Sequence, residues 1–151
     1  MIEYKITTNN DMELLMQSRL EMLREVNRLP SAYMYDDSFV EMSRQYFESG
    51  NQTTVLAMDK EVVGCATLCY LDMMPTFSHP TGKRAHLMNV YTRKDYRRQG
   101  LAETMVNMLI AEAKQRGVTE ISLDATEAGR PLYKKLGFVD STECMVLNLN
   151  E

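Results

Sequence analysis

Two strand-like apolar runs, Thr54 to Met58 and Glu61 to Leu71, are separated by only Asp59 and Lys60. A link that short cannot cross back over a sheet, so the two runs must pair as an antiparallel hairpin. Whatever the chain folds into is built around that pair. Ahead of it, Ile2 to Thr7 alternates like a strand. Thr8, Asn9, Asn10 and Asp11 then offer helix-capping side chains. Leu15, Met16, Leu20, Leu23 and Val26 recur at helical spacing, which predicts a helix over Met12 to Val26, stopped before Pro30. Leu29 to Asp37 reads as a loop, and Ser38 to Ser49 as a second amphipathic helix ending at Gly50.

Beyond the hairpin, Pro75 and Pro80 keep Asp72 to Lys83 irregular, and Arg84 to Thr92 reads as another strand. The period then changes. Ala102, Met105, Val106, Leu109, Ile110 and Ala113 form one face of a helix from Leu101 to Arg116, with Gly117 at its C-cap. Thr119 to Asp124 is expected as a strand, Pro131 to Leu136 as a short helix stopped by Gly137, and Glu143 to Leu149 as a closing strand. This order predicts an α/β fold of mixed-sheet (α+β) type with helices packed against the sheet. All 151 residues fit one domain.

Composition narrows the function classes. Hydrophobic residues make up 44% and charged residues 25%, as in an ordinary globular chain. Seventeen basic against twenty-one acidic residues give a net charge of −4, which argues against nucleic acid as a partner. The N-terminal stretch has neither a basic nor an apolar leader region, and no apolar run reaches spanning length, so no membrane association is expected and the cytoplasm is the expected location. Cys65, Cys69 and Cys144 form no CxxC pair, and no metal site is expected. Cys65 and Cys69 share strand parity and read as reduced apolar residues on one face.

The chemistry-bearing segment is Arg97-Arg98-Gln99-Gly100-Leu101-Ala102, between a strand and the start of the strongest helix. The first turn of a helix leaves backbone N–H groups unpaired and carries partial positive charge, so a pyrophosphate can dock there. Gly100 allows close approach, Ala102 keeps the next contact small, and both arginines can bond phosphate oxygens. Cations at a helix N-terminus oppose its dipole; a bound polyanion would account for them.

With this loop the chain resembles the Gcn5-related N-acetyltransferases, the GNAT superfamily. Their coenzyme A loop follows Q/R-x-x-G-x-G/A, matched by Arg97, Gly100 and Ala102. Some thirty residues on, Gly129 to Phe138 (GRPLYKKLGF) is similar to the family's LYEKLGF segment. The resemblance covers nearly the whole chain. It implies a mostly antiparallel sheet with a parallel splay between the fourth and fifth strands, flanked by about four helices. It implies acetyl-coenzyme A as acyl donor, with the pantetheine arm against Val90, Tyr91 and Thr92 and the phosphates on the amides from Arg97 to Ala102, by way of Arg98, Gln99, Gly100 and Leu101. Thr126 stands where relatives carry an asparagine that contacts the coenzyme.

Tyr133 matches the family's tyrosine acid. A thiolate leaving group resembles cysteine, with pKa about 8.5, and a phenol near about 10 can support its departure. An alkyl amine is mostly protonated at neutral pH, and releasing the free base costs about 4–5 kcal/mol. His86 is positioned to take that proton directly or through water, or it is a strand histidine satisfied by a neighbour; His79 is a weaker candidate. Tyr33, Tyr35 and Asp36, with Asp37, are expected to form an aromatic and acidic mouth for a cationic amine. The expected reaction is transfer of acetyl to a primary amine of a small molecule, by direct attack in a ternary complex. The other readings are a protein lysine or N-terminal acetyltransferase and a non-catalytic acyl-coenzyme A sensor. Such domains often pair through sheet edges or closing strands, so a homodimer is an expectation the resemblance carries.

Overall fold

A computed structural model of the chain describes residues 1–150. It contains strand β1 (Glu3–Ile6), helices α1 (Met12–Val26) and α2 (Asp37–Glu48), strands β2 (Gln52–Asp59), β3 (Glu61–Asp72) and β4 (Lys83–Thr92), helix α3 (Leu101–Gln115), strand β5 (Glu120–Leu123) and helix α4 (Arg130–Lys135). The five strands lie in sequence order in one sheet. The β1–β2, β2–β3 and β3–β4 pairs are antiparallel and β4–β5 is parallel. The parallel pair follows from the α3 crossover, which a tight turn could not supply.

Alternation along the strands splits the core in two. Val55, Ala57, Ala66, Leu68, Ala85 and Leu87 pack with Met105, Val106 and Leu109 of α3. Leu56 and Cys65 point to the opposite face, where Leu14 of α1 covers them. Met12, Leu15 and Met16 of α1 hold Phe47 of α2 in a third cluster. Leu56, Leu68, Met105 and Leu109 are fully buried, and each such side chain contributes about 1.5–3 kcal/mol. Arg93 ties α1 to the hairpin by bonding both Glu21 and Glu61.

The α1 N-terminus has a more elaborate start than its spacing predicts. Asn9–Asp11 form a turn of 3-10 helix, and Thr8 and Asp11 cap each other reciprocally. Asp11 is only 7% exposed and pairs with Lys5 at 2.6 Å. The hairpin is tighter than expected, with Lys60 alone between the strands at φ 65°. The loop from Asp72 to Lys83 is stitched by Met73 N–H to Gly82 O at 2.8 Å and by the Thr76–His79 pair.

The closing strand expected over Glu143 to Leu149 does not form. The segment has no ladder partner, and Met145, Val146, Leu147 and Leu149 are all exposed. Alternation supplies an apolar face, but a strand exists only when a neighbour accepts its backbone groups. β5, at the sheet edge, pairs only with β4.

Candidate functional site

The site is built where β4 and β5 part. Their pairing runs from Arg84↔Glu120 to Leu87↔Leu123 and then stops, while β4 continues to Thr92. From Met88 to Thr92, β4 therefore has no strand on its β5 side, and backbone groups of an extended ligand can occupy that edge. A bulge sharpens the opening. Cys65 pairs Tyr91 and Thr67 pairs Met88, so β4 carries one extra residue over this interval. Asn89 takes up the bend at φ 60°, and the re-aimed backbone brings Val90 to the gap.

A buried polar chain holds the bulge. Gln52 Oε1 accepts from Thr54 Oγ1 at 2.6 Å, Thr54 and Thr67 hydroxyls meet at 2.8 Å, and Asn89 Nδ2 donates to Thr67 Oγ1 at 3.0 Å. Arg19 of α1 completes it, donating from Nη1 to Asn89 Oδ1 at 3.2 Å. Sequence reading missed this network because its members lie on four separate elements. The only local signal is asparagine, the residue type that best tolerates a left-handed bend short of glycine.

The loop into α3 has the features of an anion cradle. Arg98 at φ 63° and Gly100 at φ 81° curl the chain so that Gly100 becomes the N-cap, with no side chain bonding the first-turn amides. A Cβ on Gly100 would meet nothing within 4 Å, so the space beside this N-cap is open. Arg97 does not reach outward freely: its Nε donates to Thr92 O at 2.9 Å, tying the loop to the end of β4. Gln99 Nε2 bonds Asp95 O, Leu101 is buried in the core, and Ala102 is half-buried beside it. The residues present therefore fit a pyrophosphate.

Tyr133 packs edge-on against Phe138, ring centroids 5.8 Å apart, within the same core cluster as Val90 and Leu123. Its hydroxyl has no hydrogen-bond partner among the described residues, and burial raises its pKa, so the phenol keeps its proton at neutral pH. Thr126 is otherwise engaged: its Oγ1 accepts from Gly129 N–H at 3.1 Å, shaping the turn into α4. His86 lies at the fork. Its Nδ1 meets Ser122 Oγ at 2.7 Å, and its Nε2 is 3.7 Å from Asp124. His79 lies in the loop before β4, against Thr119 and Glu120. Burial pushes the Cys65 thiol up to about 12, which removes it as a nucleophile. Tyr91 turns its ring toward α1, and burial with the nearby Glu21 and Glu25 carboxylates raises its phenol to about 12, so only its backbone faces the gap.

Tyr33, Tyr35 and Asp36 come together in a hollow of ≈ 490 Å³ between α1 and α2, shared with Leu23, Asn27, Leu29 and Phe39. Contacts within the protein already engage two of these side chains. The Arg24 guanidinium already covers Tyr35 at 5.3 Å, and the Tyr35 hydroxyl donates to Leu20 O. Asp36 is the N-cap of α2, accepting from Ser38 N–H and Oγ–H at 2.8 Å, and these bonds hold its carboxyl below the usual range. Among the described residues no group of three His, Cys, Asp or Glu is placed to hold a metal, and no helix is long and apolar enough to cross a membrane.

A five-stranded mixed sheet with a parallel β4–β5 pair agrees with the comparisons. The model of the acetyltransferase (GNAT) family matches residues 20–138. The chain belongs to this family. Its GNAT fold is shared along 99% of its length with a predicted acetyltransferase from Clostridium acetobutylicum solved with acetyl-CoA (TM-score 0.85, 28% identity, 97% of that chain). A GCN5-related N-acetyltransferase from Ralstonia eutropha JMP134 is similar over 99% of this chain and all of that one (TM-score 0.80, 25% identity). Among curated relatives, glucosamine 6-phosphate N-acetyltransferase of Trypanosoma brucei brucei is 30% identical over 88 residues, 58% of each chain. The [ribosomal protein bS18]-alanine N-acetyltransferase of Escherichia coli K12 is 38% identical over 61 residues, 38% of this chain and 41% of that one. The matches thus span about half the length of these two relatives.

Proposed function

We propose that the chain acts as one GNAT domain that transfers acetyl from acetyl-coenzyme A to the primary amine of a small molecule, by direct attack in a ternary complex. The observation that carries this is the uncapped start of α3, open above Gly100, beside a stretch of β4 with no partner strand. Acetyl-coenzyme A, when bound, supplies an acyl group already activated as a thioester. The amides from Arg98 to Ala102 hold its phosphates, with Arg97 and Gln99 bracing the loop. Val90 and Thr92 bond the pantetheine arm along the free edge, with Tyr91 between them. The Val90 amide also faces the carbonyl oxygen on which charge develops. His86 accepts the proton lost by the attacking amine, held in place by Ser122. Tyr133 gives its proton to the departing sulfur. Thr126 contributes by fixing the turn before Tyr133.

A second reading, acetylation of a protein N-terminus, draws support from the Escherichia coli relative and from the exposed loop carrying Met74 and Phe77. Release of free thiol from acetyl-CoA is the deciding assay, run against panels of small amines and of peptides. Thiol release with small amines alone supports the leading reading, and release with peptides alone the second. Tight coenzyme binding with no release from either panel would leave only a sensor.

A further inference from the structure

The wall opposite the coenzyme gap carries cations without counter-ions. Arg19 is half-buried on the α1 face of the sheet, and its single recorded bond is the one to Asn89 Oδ1. Asn89 is the bulge residue, so the guanidinium is anchored one residue from the Val90 amide. Around it stand Cys65 and Cys69, whose thiols burial keeps protonated and neutral. Burial also lowers the pKa of Arg19 itself, the mark of a cation that has lost water without gaining a carboxylate. Arg24, about 1.4 turns further along α1, lies over Tyr35, and its Nε is buried with no hydrogen-bond partner among the described residues. Neither arginine joins an ion pair among the described residues. Arg44, Arg84, Arg93, Arg116 and Arg130 each do. A desolvated, unpaired guanidinium is costly to keep, and a ligand anion would offset that cost.

We propose that the acceptor is an amine that also carries an anionic group, a carboxylate or a phosphate, and that this group pairs with Arg19 beside the β4 bulge while the amine faces the gap. The inference rests on the acetyl-transfer reading above and narrows its substrate class. Arg24 extends the same positive wall toward the hollow between α1 and α2. Guanidinium suits either anion through paired N–H donors, which lysine cannot match.

The test uses matched acceptors differing in the anion: alanine against alaninamide, and glucosamine 6-phosphate against glucosamine, with the polycation kanamycin as a contrast. Thiol release is measured with saturating acetyl-CoA, and calorimetry follows binding of each acceptor in the presence of coenzyme A. The anionic member of at least one pair should exceed its neutral partner by about tenfold or more in kcat/KM, the size of one charge-assisted contact. Whichever pair shows it identifies carboxylate or phosphate. Arg19→Gln should bring that ratio near unity, chiefly through KM, with Arg19→Lys intermediate. Preference for neutral or cationic acceptors overturns the proposal. So does an Arg19→Gln variant that slows both members of a pair equally, because the guanidinium would then serve only to hold the bulge. If no acceptor releases thiol, the acetyl-transfer reading fails on its own. Binding heats then decide the anion site: anion binding lost in Arg19→Gln sustains it, and no heat with any anionic acceptor ends it.

Discussion

Replacing Gly100 by alanine separates backbone strain from ligand binding. Gly100 adopts φ 81°, a region where an L side chain costs about 1–2 kcal/mol. The added Cβ would touch nothing within 4 Å, so no packing clash adds to that figure. Unfolding entropy near 2.1 cal/mol/K per residue, over 151 residues, converts this into a Tm drop of about 3–6 °C. The strain is present with and without ligand and cancels from the coenzyme Kd. The methyl group, however, enters the open space beside the N-cap, where the proposed cradle would hold a phosphate. Losing one amide–phosphate bond there is worth about 1.5–3 kcal/mol, or about a tenfold to hundredfold weaker Kd. Calorimetric titration with coenzyme A and a thermal melt of the same variant provide both numbers. Gly82→Ala is the control: at φ 71° its Cβ would lie 1.9 Å from Met73 O, so the melt should suffer more while the Kd of the folded protein holds. A Gly100→Ala protein that melts as expected yet binds coenzyme A within threefold of wild type would refute the cradle at α3.

Tyr133→Phe should leave stability almost unchanged, because the hydroxyl bonds nothing among the described residues and the ring keeps its contact with Phe138; kcat should fall about a hundredfold, read by thiol release. Asn89→Gly should retain the bend but forfeit the bonds to Thr67 and Arg19, costing about 2 kcal/mol in a urea titration, and Asn89→Ala should cost more because the strain at φ 60° is added. Lys5 and the Thr8 amide lower the pKa of Asp11 below 3.8, so its stabilisation is complete above that value and fades as pH falls through the lowered one. Asp11→Asn should therefore reduce Tm at pH 7, and the gap to wild type should narrow in acid melts.

Much of the architecture was legible from local pattern. Helix spacing set α1 and α3 within a residue or two, since one apolar stripe per 3.6 residues leaves little freedom. A link too short to cross the sheet forced β2 and β3 together. Gly100 marked the start of α3 because a helix start with a glycine is a local feature. The same local reading failed at the C-terminus, where Met145 to Leu149 has the period of a strand and no partner.

What the sequence determined by itself was therefore the order of the elements up to α4 and the glycine-started N-terminus of α3, all consequences of interactions within a few residues. The tertiary structure alone decided where β4 and β5 separate, which residue carries the bulge, and that Arg19 stands behind it. It also decided that Arg24 covers Tyr35. Those facts depend on residues far apart in the chain meeting across a sheet, and burial and unpaired charge are properties of that meeting rather than of any segment.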